Sequence, residues 1–586
     1  MTIDTAIDPM LQALAGHGEG QAAVSARGSA GRDVSADLEQ RLGSQLLAEG
    51  VLTSAQLRYA RQKQAVERRS LPGLLVEHGL AQEQDVVRVL ARQQGMELVV
   101  GQVPESEPAV MELFNRELCL RRGFLPLRRN GEVLEIVIGE GDVPTVAELV
   151  AQRTGLPCRF VQGGFGEVAR LTRQRYYFAN NPLERLIGRE VTALADDPDH
   201  ARSPQPLLDQ LLHLAVRERA TDIHLTPAAH SLHVLLRVDG VLRPLMALPL
   251  PLVRLLVFIK LTADMDISEQ RRPQDGSFHT TVLDSPFTVR VSTLVGEDGE
   301  RVVLRLLPER SELSGLAQLG FHAEDVAVLE RVFARPSGLV LITGPTGSGK
   351  STTLHAALRM QSLIERNVLT VEDPVEYRVP GACQTEVNRR AGYEFSSALR
   401  HFLRHDPDVM LIGEIRDGET AQAAIEASAT GHLVLSTLHV ASVFGVVPRL
   451  RPLGLDAQTI ADNLLAVINQ RLLRRNCSQC SEPVELTPAQ RDWLELAPGQ
   501  GDVRAGRGCS HCAGSGYRGR LPVYEILLMD EALANAIADD GGRESVRRLA
   551  QAAGFRSMVE LARRRVREGQ TSLAEVLRVV GEAPPA

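Results

Sequence analysis

Apolar positions along the chain follow two periods, and the places where the period changes divide it into units. Between residues 319 and 470, runs that are apolar throughout alternate with stretches of helical spacing: Leu339–Thr343, Val368–Val371, Val409–Ile412 and Leu433–Thr437. Strands with no polar face are buried on both sides, as in a parallel sheet covered by helices. This part therefore predicts an α/β core with its ligands at the carboxyl ends of the strands. Ahead of it, Leu207 to Arg219 has the spacing of an amphipathic helix. Leu232 to Val238 reads as a strand that turns at Asp239-Gly240, and Gly276 to Leu307 reads as a further hairpin. These segments predict a separate, small α+β domain over residues 206–318.

The flanks are patterned differently. Residues 1–35 are rich in Ala, Gly and Ser without apolar periodicity and predict a disordered tail. From Arg41 a repeat with a period of 29 residues sets in: Leu42, Leu46, Leu47 and Leu57 match Leu71, Leu75, Val76 and Val86, and Gln64 matches Gln93. Each copy reads as two short helices around a glycine, Gly50 or Gly79, that ends the first. With runs such as Glu132–Ile138 they predict a helical docking or regulatory domain over 36–165. Residues 166–205, with Asp196-Asp-Pro-Asp and Ser203-Pro-Gln-Pro206, predict a linker. A cysteine-bearing module over 471–525 and a helical region over 526–586 complete the chain.

Composition narrows the class. At 586 residues the chain has room for three or four domains, and with 44% hydrophobic residues it can bury their cores. A net charge of −8 and 4% aromatic residues argue against a nucleic-acid partner. Met1 to Pro9 holds two aspartates and no basic segment, so no secretory signal is expected. The greasiest run, Leu245 to Leu261, contains Pro249, Pro251, Arg254 and Lys260 and does not predict a membrane span. Seven cysteines in so long a chain do not suggest a disulfide framework, and the expectation is a reduced, cytoplasmic protein.

The chemistry concentrates after the strand Leu339–Thr343. Gly344-Pro345-Thr346-Gly347-Ser348-Gly349-Lys350-Ser351, with Thr352 opening a helix, has the order of a P-loop. Its backbone N–H groups and the helix N-terminus cradle phosphates, Lys350 reaches the β- and γ-phosphates, and the Ser351 hydroxyl is a Mg²⁺ ligand. ATP and Mg²⁺ are the cofactors this predicts. Downstream, Asp408-Val-Met-Leu-Ile-Gly-Glu414 is an apolar strand with a carboxylate at each end. Glu414, at the carboxyl end, points toward a metal site, and Asp408 reads as structural. Val368–Val371 ends in Glu372-Asp-Pro-Val-Glu376, where a carboxylate can orient or deprotonate water. Cys477-x₂-Cys480 and Cys509-x₂-Cys512, separated by 28 residues, have the spacing of a closed four-thiolate Zn²⁺ site. Cys119, Cys158 and Cys383 read as packing residues.

Taken together, these motifs resemble the type II secretion and type IV pilus assembly ATPases of the secretion motor superfamily. Thr370–Glu376 is similar to the family's acidic box, Asp406–Asp417 to its Walker B region, and Thr430–His439 to its histidine box. Thr221–His224, Arg237–Gly240 and Pro273–Gly276 resemble the domain that precedes the motor, and the likeness spans about 206–526. It implies a RecA-like P-loop core behind a PAS-like α+β domain, with Glu372 as general base and Glu414 as Walker B acid. Arg290 and Arg305 would reach the nucleotide across the domain cleft, and Arg400 and Arg404 would be a second arginine pair needed for activity. His432 and His439 would respond to the γ-phosphate. The resemblance also implies a homo-hexameric ring and an inner-membrane platform as partner, together with a membrane protein that has a cytoplasmic domain. The tetracysteine module favours an assembly motor over a retraction motor. Two departures stand out: Ser277 replaces the usual arginine, and Val440-Ala-Ser442 replaces the usual Thr-Asn-Asp.

The first repeat copy is similar to a motif that binds cyclic di-GMP in some of these ATPases, through Arg41, Leu42, Gly43 and Gln64. The second copy has Ser70 and Pro72 at the arginine and glycine positions. The leading expectation is the type II secretion motor. The alternatives are a pilus extension ATPase regulated by cyclic di-GMP, and a nucleotide-sensing scaffold, for which degraded acidic boxes would be expected.

Overall fold

The structure, a computed structural model, describes residues 29–101, 103–197, 201–308, 315–361, 365–497 and 501–581. Most of the stretch read as a tail, 1–28, lies outside them, and helix Ser29–Ala48 already occupies the rest. The repeat folds as two helix pairs, Ser29–Ala48 with Ser54–Glu67 and Leu71–Glu77 with Glu83–Gln94. Matched positions Leu42 and Leu71, and Leu46 and Leu75, are fully buried in one shared core. Thr53 and Ser70 cap the helices that follow them by accepting from Gln56 N and Gly73 N.

A four-stranded sheet follows, in the order 97–98, 158–162, 133–138, 124–130. Helix Phe165–Asn180 buries Val168 and Tyr176 in its core. Helix Leu183–Ala195 buries Leu183, Ile187 and Leu194 against the next domain. Residues 166–205 are thus mostly helical. The Asp-Pro and Ser-Pro signals mark only the break before Gln205, while the charged residues upstream lie on the outer faces of two amphipathic helices.

The α+β domain is a six-stranded antiparallel sheet ordered 241–249, 231–238, 220–228, 299–308, 285–296, 274–282. Leu211 of helix Gln205–Arg217 and Ile259 of helix Arg254–Thr262 share a core with Val234, Val289 and Leu304 of the sheet. The following core holds a seven-stranded sheet ordered 383–386, 368–372, 409–412, 433–438, 338–343, 464–476, 517–528. Its first six strands are parallel and the last is antiparallel. The four strands read from the sequence are its centre, apolar because helices cover both faces.

Strands 464–476 and 517–528 pair from Ala466↔Leu528 to Asn476↔Tyr517. The cysteine module therefore hangs from the tip of a hairpin as residues 477–516, and the flanks read as part of it belong to the sheet. Among the other cysteines, Cys119 is buried and Cys158 half-buried. Cys383 is exposed, against its reading as a packing residue, because it opens the edge strand. The C-terminal helices cover both faces of the sheet: Leu533, Ile537, Val546 and Ala550 join one core, and Met558, Leu561, Val566 and Val576 the other.

Candidate functional site

Strand Gly338–Thr343 enters the loop and helix Lys350–Arg359 leaves it. Gly344 cannot be replaced without a clash: a Cβ there would lie 2.4 Å from the Gln470 carbonyl oxygen. Gly349 caps the helix at φ +87°, a backbone that side chains rarely adopt. Pro345, Thr346 and Gly347 form the exposed tip, Ser348 is buried, and Ser351 and Thr352 are half-buried. Lys350 Nζ donates to the Gly344 and Pro345 carbonyls at 3.0 and 3.1 Å. Burial pushes its pKa down, opposed by the charges of Glu414 and Glu376.

The loop is braced by the neighbouring strand. Gln470 Nε2 donates to Ser348 O at 2.7 Å, and its Oε1 accepts from Thr353 Oγ1 at 2.9 Å. Next to it, Asn469 accepts from Thr343 Oγ1 at 3.2 Å and donates to Ala441 O at 3.0 Å and Glu525 Oε1 at 3.1 Å. A line of buried polar bonds thus runs from the P-loop strand to the segment after the histidine box.

Both acidic strand ends lie on the same carboxyl edge as the P-loop. Glu372 is only 4% exposed. Its Oε1 accepts from Thr370 Oγ1 at 2.8 Å and Gln384 Nε2 at 3.1 Å, and its Oε2 lies 3.0 Å from His355 Nε2. Burial disfavours the His355 imidazolium, but the Glu372 carboxylate outweighs it and the His355 pKa is raised. Glu414 follows strand Val409–Ile412, where Gly413 is fixed by its N–H to Val371 O at 2.8 Å and by its carbonyl accepting Thr437 Oγ1 at 2.7 Å. Glu414 pairs with Arg416 and lies 3.4 Å from His439 Nε2. Asp408, at the opposite end, accepts from Asn367 N at 2.6 Å, the structural role its place suggests.

The α+β domain closes the site. A cleft of about 940 Å³ lies between the loop tip and that domain, lined by Pro345–Ser348, Arg305, Asp222, Phe287 and, from the C-terminal helix, Arg578 and Val579. Arg305 is aimed by buried Asp222, whose Oδ1 accepts from its Nε at 2.9 Å. Asp239 ties the domain to the motor hairpin by accepting from Gly519 N at 2.9 Å, and Arg219 of its own domain steadies it by donating Nη2 at 2.8 Å.

Other expected residues lie elsewhere. Arg290 stands opposite Arg305 across the strand pair but does not line the cleft. Arg400 lies 3.9 Å from Glu419, and Arg404 donates to Arg400 O at 3.2 Å. Neither lines the cleft. His432 precedes strand Leu433–Leu438 at the amino edge, within 2.9 Å of Ala427 O, so only His439 of the histidine box reaches the acids. In the helical unit, Leu42 is core, Gly43 makes room for Leu57, exposed Arg41 pairs with Asp37, and Gln64 donates to Glu39 at 2.6 Å.

The four cysteines come together as a group. Their sulfurs lie within 4.8 Å of one another, with Cys477–Cys509, Cys480–Cys512 and Cys509–Cys512 each at 3.8 Å. A tetrahedron with metal–sulfur bonds of about 2.3 Å has edges of about 3.8 Å. Against burial, the backbone amides of Cys509 and Gly516 hold the Cys512 thiol down to about 6.

Gln470 and His355 were not singled out in the sequence. The polar run Asn469-Gln470-Arg471 interrupting an apolar strand signals the first. The second is four residues after Ser351, on the face of the helix that looks back to the loop.

A phosphate loop, two acids on one sheet edge and a capping domain that brings an arginine define a P-loop ATPase, an ATP-hydrolysing enzyme. Residues 198–578 match the model of the family described as Type II/IV secretion system protein, and residues 94–180 match the MshEN domain. The chain belongs to the Type II/IV secretion system protein family. The type II secretion system protein E of Pectobacterium carotovorum subsp. carotovorum is 43% identical over 378 residues, covering 64% of this chain and 75% of the relative. The type II secretion system ATPase E of Vibrio cholerae is 43% identical over 380 residues with the same coverage. The solved ATPase DotB of Legionella pneumophila is 22% identical, covers 65% of this chain and 96% of that one, and has a TM-score of 0.49.

Proposed function

We propose that this chain is the motor ATPase of a type II protein secretion system, working as a homo-hexameric ring that drives pseudopilus assembly. The observation that carries the enzymatic part is the shared carboxyl edge of the sheet, which holds the P-loop, Glu372 and Glu414, with the loop tip facing a cleft that Arg305 also lines. Lys350 and the loop amides bind the triphosphate, and Ser351 and Glu414 hold Mg²⁺ directly or through its waters. Glu372 takes the proton of the attacking water, and Arg305 offsets charge on the transferred phosphoryl group. Arg400 and Arg404, outside the chain's own cleft, serve a neighbouring subunit of the ring. The tetracysteine cluster holds a structural Zn²⁺.

Among the described residues no helix is long and apolar enough to cross a membrane. Attachment to the inner membrane then runs through a platform protein and a membrane protein with a cytoplasmic domain. The secretion assignment is supported by the relatives' names at 43% identity. Pilus extension under cyclic di-GMP control is the second reading, supported by the MshEN match and the paired helical repeat at the N-terminus.

Steady-state turnover and binding of a fluorescent ATP analogue test the assignment. Lys350→Ala abolishes both. Glu372→Gln stops turnover and keeps binding, and wild-type turnover in Glu372→Gln would remove the general-base role. In cells lacking the native gene, Glu372→Gln fails to restore secretion where the wild-type chain does.

A further inference from the structure

His355 is buried to 1% exposure on the P-loop helix, one turn beyond Ser351. Its Nδ1 is 2.7 Å from the Ser351 carbonyl, which can only accept, so Nδ1 carries a proton. Its Nε2 is 3.0 Å from Oε2 of Glu372, the oxygen that Thr370 and Gln384 leave to it. The Tyr377 ring closes the far side edge-on at 5.2 Å, and Gln384 holds that loop by donating to Tyr377 O at 2.9 Å and accepting from Val379 N at 2.7 Å. The imidazole thus lies between the Ser351 backbone on the P-loop helix and the strand end bearing Glu372.

We propose that His355 is a positioning residue for Glu372, locking its carboxylate to the P-loop helix so that the base follows the loop that grips the triphosphate. The inference rests on the reading of Glu372 as general base. A residue that only filled space or balanced the buried charge would show its loss in stability alone, since removing one partner of a buried pair leaves the other charge uncompensated. A positioning residue shows it in turnover as well, because a carboxylate held only at Oε1, by Thr370 and Gln384, can turn Oε2 off its line to the attacking water.

The test compares His355→Phe, His355→Gln and Glu372→Gln in the full-length protein, measuring kcat, the Kd of a fluorescent ATP analogue and the melting curve. His355→Phe is expected to lower kcat by about tenfold or more with Kd within about twofold, and His355→Gln, which keeps a donor, to recover part of the loss. If His355→Phe fails to fold, His355→Met serves for the same comparison. Unchanged kcat in the apolar variant, or kcat and Kd shifted together, overturns the proposal. The two readings separate cleanly. Normal turnover in Glu372→Gln sinks the base assignment, whereas a dead Glu372→Gln beside a fully active His355→Phe sinks only the positioning role.

Discussion

Gln470→Leu probes how much of ATP binding is built outside the P-loop sequence. The Gln470 side chain is 1% exposed and makes two bonds, to Ser348 O at 2.7 Å and from Thr353 Oγ1 at 2.9 Å. Leucine fills much of the volume and leaves both partners without a bond in a region that excludes water. Each orphaned group costs about 1–3 kcal/mol, so the fold loses about 2–6 kcal/mol. Only the Ser348 share acts on the loop that holds phosphate. ATP affinity should therefore fall by about 1–3 kcal/mol, a roughly five- to 150-fold rise in Kd. Adding Thr353→Val removes one orphan, so the double variant should be more stable than the sum of the singles by about 1 kcal/mol. Titration with a fluorescent ATP analogue and denaturant unfolding read the two effects. A Kd within twofold of wild type, together with strictly additive stabilities, would refute the brace.

Three further expectations follow from other parts of the molecule. Purified protein should carry about one zinc per chain, and Cys509→Ser or a strong chelator should lower the melting temperature, since a structural metal contributes directly to folding; a metal-free chain of undiminished stability would dismiss the site. Arg564, by a side-chain bond, holds the Glu324 carboxyl down to about 2 despite its exposure. A depressed carboxyl stabilises the fold above its unfolded value of about 4.5 and stops doing so as pH falls toward about 2. Glu324→Gln should flatten acid destabilisation in that window, modestly and less so in high salt. Titrating the full chain with cyclic di-GMP by calorimetry tests the second reading: saturable binding that Arg41→Ala weakens supports it, and a flat trace removes the ligand.

The chemistry was legible where it is local. A glycine-rich loop between an apolar run and a helix, and paired cysteines two residues apart, are read from neighbours along the chain. What brings them together is not. Gln470 reaches the P-loop because strand 464–476 pairs in parallel beside strand 338–343, a long-range choice that no short window records. The histidine box illustrates the same limit. His432 and His439 flank a six-residue strand, which at about 3.3 Å per residue separates them by about 20 Å. A motif reading treats them alike, but the strand puts one at the wrong edge. The linker expectation failed for another reason: proline and aspartate signals over a few residues outweighed the helical period of the forty around them. In the repeat, Leu42 was read as part of a ligand motif, yet the same period places it in the helical core.

The upstream motif Thr221-Asp-Ile-His224 gains a physical meaning from the cleft. Asp222 is 3% exposed, and its carboxylate accepts from Thr221 Oγ1 at 2.7 Å while holding Arg305 at 2.9 Å. Arg237 Nε also pairs with it, 3.7 Å from Asp222 Oδ2. One buried acid thus lies against two arginines and is fixed by the threonine before it; it aims Arg305, whose side chain is 61% exposed and lines the cleft. A guanidinium aimed in advance needs no reordering when phosphoryl charge develops, which is where an electrostatic contribution to rate comes from. Asp222→Asn keeps the shape and removes the charge. It should lower kcat by one to two orders of magnitude, about 1.4–2.7 kcal/mol, with little change in ATP affinity, because the P-loop is untouched. Arg305→Ala should cost at least as much, and the double variant no more than Arg305→Ala alone. If Asp222→Asn slows the Arg305→Ala enzyme further, the aspartate acts through something other than this arginine.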